Sequence, residues 1–349
     1  MNTTGMTGTS LPQNIYSRSQ LNKSYSSTVI GISEETPQRI LRPGVYVPTL
    51  AFFKKENEEL DEATIAQHAV RMVKAGVVGL VTQGTFGEAV HLSHIERCKI
   101  TRTTRHAIGA AGYVQIPIIV GCGAQSTSEA IELCHAAQSS GADYALVLPP
   151  SIYKAHYSKD ILRDFFTDIA SMSPLPILIY NYPTVTNGVD LDSDLIIELA
   201  KHPNIVGCKL SCNNMGKFNR VAAATRPATE TGRGSGFMCF GGQAESALQT
   251  LTGAGSGVIT GLANLAPKTC VRLVELHRLS TQESWDLQGV VARADAVVTS
   301  GGIAGLKCTL ESFLGYGGYA RKPLPRPSQE QIGRLSDQFR EIVDLEKSL

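Results

Sequence analysis

The stretch NIVGCKLSC, residues 204–212, sets β-branched Ile205 and Val206 ahead of Gly207, Cys208 and one lysine, Lys209, and then closes on small residues. Such a run reads as a buried strand, because β-branched side chains pack well on a pleated surface. Lysine is almost never fully buried unless something pairs with it or uses it, so the strand raises a chemical question along with a structural one.

Seven further apolar runs share its character: 44–53, 77–83, 116–122, 144–150, 175–181, 236–241 and 257–262. Longer amphipathic stretches lie between them. Residues 61–76 carry apolar side chains at helical spacing and stop at Gly76, a residue that suits a helix C-terminus. Ser93 and Glu96 have capping-box spacing before the helix that follows. Strands that are apolar throughout, alternating with helices, call for a parallel sheet covered by helices. Eight such units in about 220 residues fit a closed (β/α)8 TIM barrel, an α/β fold, better than an open doubly wound sheet. No G-x-G-x-x-G follows the first run, and GTFGEA (84–89) is too short for a phosphate loop and lacks its Lys-Ser/Thr. Past residue 265 the patterns are helical only, at 266–280, 282–299, 303–314 and 328–347. The expected organisation is an N-terminal tail over 1–40, a barrel over 41–265 and a C-terminal helical extension over 266–349.

The chain has 349 residues, of which 42% are hydrophobic and 18% charged, and its net charge is +1. Both signs are interspersed, so no footprint for nucleic acid or a membrane surface is visible. No apolar run approaches the roughly 18–20 residues that span a bilayer. The 8 cysteines are scattered, several of them within apolar runs, and read as reduced, buried small hydrophobes of an intracellular protein. Residues 1–40 are rich in Ser, Thr and Asn, contain no acidic residue before Glu34, and have no hydrophobic segment of a secretory signal. They read as a flexible tail on a cytoplasmic protein. A mitochondrial transit peptide, suggested by Arg18 and Lys23 in an acid-poor, Ser-rich setting, is the alternative.

In a barrel of this kind the chemistry gathers at the C-terminal ends of the strands. Thr85 follows the second strand, Tyr153 lies after the fourth, Tyr180 ends the fifth and Lys209 ends the sixth, so all four converge on one mouth. A free lysine amine is neutral in roughly one molecule in 2,500 at pH 7, and only the neutral form attacks a carbonyl. An apolar setting favours that neutral form. The iminium that results is an electron sink, and a nearby tyrosine hydroxyl can shuttle the protons. Lys307 is the rival amine. Its helical, amphipathic surroundings read as those of a solvated helix lysine. His91 and His94 suggest a metal-dependent aldolase, but they sit at a helix entry and no carboxylate–histidine set recurs at other strand ends, so no metal is expected. A barrel kept as a non-enzymatic binding module is the remaining alternative.

From about Gly44 to Leu314 the chain resembles the dihydrodipicolinate synthase / N-acetylneuraminate lyase family of class I, pyruvate-handling aldolases. GTFGEAVHLS (84–93) is similar to that family's G-[ST]-x-G-E loop, ILIYNYP (177–183) to its Y-N-x-P segment and IVGCKLS (205–211) to its G-x-K segment. The resemblance implies that Lys209 forms the Schiff base, that Tyr180 transfers protons, and that Thr85 links Tyr180 to a second tyrosine, Tyr153 or its rival Tyr157. It further implies a pyruvate site made by Thr85, Phe86, Ser211, Gly241 and Ile259, no cofactor, small-molecule substrates, and a homo-oligomer, either dimer or tetramer. Where the synthase branch carries an arginine for its second substrate's carboxylate, this chain has Val185. The implied activity is therefore cleavage or formation of a 2-keto-3-deoxy acid from pyruvate and a neutral aldehyde such as L-glyceraldehyde, as in fungal relatives acting on 3-deoxy-hexulosonates. A 4-hydroxy-2-oxoglutarate aldolase and a sugar-acid dehydratase are the alternatives.

Overall fold

The computed structural model describes residues 39–277, 279 and 282–349; nearly all of the tail expected over 1–40 lies outside the described residues. Eight strands lie within the eight apolar runs: β1 Gly44–Pro48, β2 Gly79–Thr82, β3 Ile118–Gly121, β4 Tyr144–Val147, β5 Ile177–Asn181, β6 Ile205–Leu210, β7 Met238–Gly241 and β8 Gly257–Ile259. Each pairs in parallel with the next, and β8 returns to β1 to close the barrel. The helices between them are α1 Glu62–Lys74, α2 His94–Ala110, α3 Thr127–Ser139, α4 Lys159–Met172, α5 Ser193–Leu199, α6 Met215–Thr225 and α7 Ala247–Thr252. After β8 come α8 Pro267–His277, α9 Gln282–Leu314 and α10 Gln329–Ser348. Gly302 (φ 60°) breaks α9 into two helical pieces, matching the separate patterns at 282–299 and 303–314.

Local chemistry sets the helix starts. Asp61, Ser126, Ser158, Asp192 and Asn214 each accept a backbone N–H of the first turn of the helix that follows, and Ser93 forms a full capping box with Glu96.

Strand alternation divides the core in two. One cluster, including Val45, Val47, Ile118, Val120, Cys208, Leu210 and Cys239, lies between sheet and helices. A second fills the barrel interior and includes Tyr46, Val81, Ile119, Leu178, Tyr180 and Phe240. Tyr46 packs edge-on to Phe240 at 4.9 Å between centroids, and Gly79 makes room for it, since a Cβ there would fall 2.2 Å from the Tyr46 ring.

One irregularity places the lysine. Ile177 pairs with Ile205 but Leu178 pairs with Gly207, so β6 holds one extra residue at Val206. Ile205 belongs to the outer cluster, whereas Lys209, in register with Tyr180 and Phe240, faces inward. Residues four apart share a face in a regular strand. The bulge reverses that parity and turns Lys209 into the barrel.

Candidate active site

Lys209 is 4% exposed, and its Nζ donates to Tyr180 Oη at 3.2 Å while lying 4.3 Å from the centroid of the same ring. Thr85 Oγ1 is 3.5 Å from Tyr180 Oη. Three residues from three separate segments thus form one chain of polar atoms. Tyr182 stacks on Tyr180 with centroids 5.9 Å apart and planes at 26°. Burial pushes the Tyr182 phenol above its ordinary range, and the neighbouring Tyr180 and Asp295 add to the effect.

The residue after Tyr180 fixes its surroundings. Asn181 donates to Asp190 Oδ1 at 2.8 Å and accepts from Leu191 N at 3.0 Å, and Asp190 also pairs with the buried Lys217. That network braces the segment carrying Val185.

The loop after β2 is held with equal firmness. Gln83 (φ 57°) and Glu88 (φ 50°) both adopt left-handed backbone, and Glu88 N donates to Thr85 O at 3.1 Å. Glu88 accepts from Lys307 Nζ at 3.0 Å, from Arg321 N at 2.9 Å and pairs with His91 Nδ1 at 3.1 Å. Lys307 is therefore not a solvated helix lysine. It is fully buried, 4.5 Å above the Phe53 ring, and its ion pair with Glu88 replaces the solvent that the amphipathic pattern suggested. Burial pushes the Lys307 ammonium below its ordinary range, and the Glu88 charge opposes that shift. Arg321 adds bonds to Glu96, His91 O and Glu58 O.

The helices beyond the barrel thus belong to the site. Asp295 on α9 accepts Glu245 N at 3.0 Å and Gln288 accepts Leu248 N at 2.9 Å, anchoring the segment after β7. Burial lifts the Asp295 carboxyl to about 6. Neither Tyr182 nor the Glu88–Lys307–Arg321 network is signalled by a short motif; only the glutamate of GTFGE hints at a partner.

A cavity of ≈ 300 Å³ opens beside these groups, lined by Thr85, Tyr180, Val185, Leu148, Ile303 and Leu324 among others. Lys209 stands behind Tyr180, one hydrogen bond from it. The other anticipated residues are distributed around this centre. The Phe86 ring packs on Gly261, where a Cβ would lie 2.3 Å from it. Ser211 is buried and fills the space left by Gly242. The side of Gly241 that lacks a Cβ faces Thr250 on α7, and Ile259 lies in the barrel interior in register with Tyr46. Tyr153 is 66% exposed and meets none of Lys209, Tyr180 and Thr85 within the chain, whereas Tyr157 packs on the outer core. Among the described residues no group of three or more His, Cys, Asp or Glu could hold a metal, and no helix is long and apolar enough to cross a membrane.

Comparison with known proteins agrees with the fold. The chain is 48% identical over 312 residues to a protein of Emericella nidulans named "Probable 4-hydroxy-2-oxoglutarate aldolase, mitochondrial", covering 89% of this chain and 98% of that one. It is 43% identical over 326 residues to the L-threo-3-deoxy-hexylosonate aldolase of Aspergillus niger, covering 88% and 97%. The crystal structure of a dihydrodipicolinate synthase family protein from Coccidioides immitis superposes with a TM-score of 0.78 at 32% identity, over 89% of this chain and 99% of that one. The model of the Dihydrodipicolinate synthetase family matches residues 43–341, and the chain belongs to that family.

Proposed function

We propose that the protein is a class I aldolase that joins or splits pyruvate and a small neutral aldehyde through an imine on Lys209. The observation that carries this reading is the 3.2 Å contact between Lys209 Nζ and Tyr180 Oη on the inner face of the barrel. In the cleavage direction the Lys209 amine adds to the C2 ketone of a 2-keto-3-deoxy acid. Loss of water leaves an iminium. Tyr180 takes the C4 hydroxyl proton, the C3–C4 bond breaks, and its electron pair passes into the iminium as the aldehyde departs. Protonation of the enamine at C3 and hydrolysis release pyruvate and restore the amine.

Thr85 relays the proton from Tyr180 towards a second tyrosine, and the backbone N–H groups of Thr85 and Phe86 hold the keto-acid carboxylate as a turn holds an anion. Ser211, Gly241 and Ile259 shape the pyruvate end. Tyr153 completes the relay from a second copy of the chain, which its exposure in the single chain supports. Val185 at the cavity wall favours a neutral aldehyde, and a 3-deoxy-hexulosonate substrate agrees with the name of the Aspergillus niger relative. The name of the Emericella nidulans relative supports 4-hydroxy-2-oxoglutarate as the second reading, and its word "mitochondrial" supports a transit role for residues 1–40. Import of a fluorescent fusion with and without those residues tests the location. Borohydride reduction in the presence of pyruvate, followed by peptide mass spectrometry, tests the chemistry: a reduced pyruvyl adduct on Lys209 is expected, and its absence overturns the assignment.

A further inference from the structure

The cavity beside Thr85 and Tyr180 is also lined by Val90, Leu146, Leu148, Val185, Ile303 and Leu324. The polar side chains that also line it are already engaged. Gln83 donates its amide to Arg97 O at 2.6 Å and Thr101 Oγ1 at 2.7 Å. Glu88 is held by Lys307 and Arg321, and His91 turns its Nδ1 to Glu88. Arg97 donates from Nη2 to Ala89 O at 3.3 Å, while its Nη1 is buried without a partner and closed to solvent. What remains beyond the reacting hydroxyls is a hydrocarbon surface, to which the C-terminal segments contribute Ile303 and Leu324.

An aldehyde tail placed there meets mainly methyl groups, since Arg97 Nη1, the unpartnered donor among these side chains, is closed to solvent. A polar tail gives up hydration with little in return, although an apolar pocket rejects a hydroxyl only weakly. An alkyl tail gains from each methylene removed from water. We propose that the site has a further activity, the aldol addition of pyruvate to aliphatic aldehydes, giving 4-hydroxy-2-keto acids with alkyl tails. The enamine carbon of Lys209-bound pyruvate attacks the aldehyde carbon, forming one C–C bond. The aldehyde oxygen takes up a proton through Tyr180, and one water hydrolyses the iminium to free the product. The water lost in forming the imine is regained in that step, so no oxidant or reductant is needed. This inference rests on the imine reading of Lys209.

The test uses the full chain with pyruvate and the series ethanal, propanal, butanal and pentanal, with product read by mass spectrometry. Specificity constants should rise roughly fourfold per methylene, and Leu324→Asn should flatten that rise. A flat or falling series, a Leu324→Asn series as steep as wild type, or a preference for glyoxylate over pentanal overturns the proposal; the last result would assign the unpartnered Arg97 to the glyoxylate carboxylate. Borohydride trapping with pyruvate alone is run beside it. An adduct on Lys209 with a flat series removes only this inference, whereas a missing adduct removes the underlying reading as well.

Discussion

Glu88 and Lys307, 219 positions apart in sequence, form an ion pair with Nζ 3.0 Å from Oε1 and neither side chain exposed. The pair ties the helix after the Gly302 break to the loop that presents Thr85, so the extension helps to set the geometry at Tyr180. Removing one partner strands the other charge in a dry interior, at a cost of about 3–5 kcal/mol, whereas replacing both is far better tolerated. Lys307→Met should therefore lower unfolding stability by that amount, and Glu88→Gln combined with Lys307→Met should recover most of it. Urea unfolding of the two variants checks this; a double variant no more stable than the single one would refute the coupling.

The same pairing separates Lys307 chemically from Lys209. Lys307 is held by a carboxylate, while Lys209 has a phenol and an aromatic face. Of the two, the proposed mechanism takes Lys209 as the nucleophile. Lys209→Ala should abolish both turnover and the borohydride-trapped pyruvyl adduct. Mapping the label to Lys307 in the wild type would reverse the assignment.

In the proposed mechanism Tyr180 acts where protons move, so Tyr180→Phe should reduce kcat by about 10²–10⁴-fold with little change in KM. An interaction made only in the transition state behaves in that way. Steady-state kinetics of the variant decide it, and a raised KM at unchanged kcat would mark Tyr180 as a binding group instead.

The barrel is legible in the sequence because its strands are short apolar runs closed by glycine-marked turns, a local signal that tertiary structure has no reason to override. The direction of Lys209 is not. Ile205 and Lys209 have the same parity, and simple alternation puts them on one face; the extra residue at Val206 shows only in the pairing with β5. Lys307 misleads for a related reason. Its own stretch reads as amphipathic although every residue from 304 to 310 is buried, and nothing within it announces a carboxylate from the loop after β2. Tyr182 follows the Y-N pair by one residue and stacks on Tyr180 because the strand ends there, a geometry that spacing alone does not contain. Local pattern therefore supplies the scaffold, while bulges and long-range ion pairs set where the reactive groups point.

His68 offers a pH test of the joint between barrel and extension. Asn264 donates to Pro48 O at 3.0 Å and Gly261 O at 2.9 Å, so its Oδ1 accepts from His68 Nε2 at 2.9 Å. Nδ1 is then left to accept from Tyr316 Oη at 2.9 Å. Burial lowers the His68 imidazole from 6.5 to about 3. The unfolded chain takes up the proton below pH 6.5 and the folded one does not, so stability is full above pH 6.5 and falls as the pH drops towards 3. At pH 5 the expected loss from this group is about 2 kcal/mol. His68→Gln should flatten the decline between pH 6.5 and 4 in urea titrations, and an unchanged slope would assign the acid sensitivity elsewhere.

Tyr153 distinguishes a site completed within one chain from a site shared between two. Ser151 N and Ile152 N both donate to Gln125 Oε1, at 2.9 and 3.0 Å, so the loop is braced while Tyr153 itself stays exposed. In the proposed mechanism a second copy receives that phenol. Tyr153→Phe and Lys209→Ala should each be severely impaired alone. In a mixed dimer of the two, one site combines the intact Lys209 of the first chain with the intact Tyr153 of the second, and the other site lacks both. Unfolding and refolding the variants together should therefore restore activity, towards one working site per mixed dimer. If Tyr153 served its own chain, no pairing would unite it with Lys209. A co-refolded mixture no more active than its components would place the second tyrosine inside the protomer or remove it from the relay.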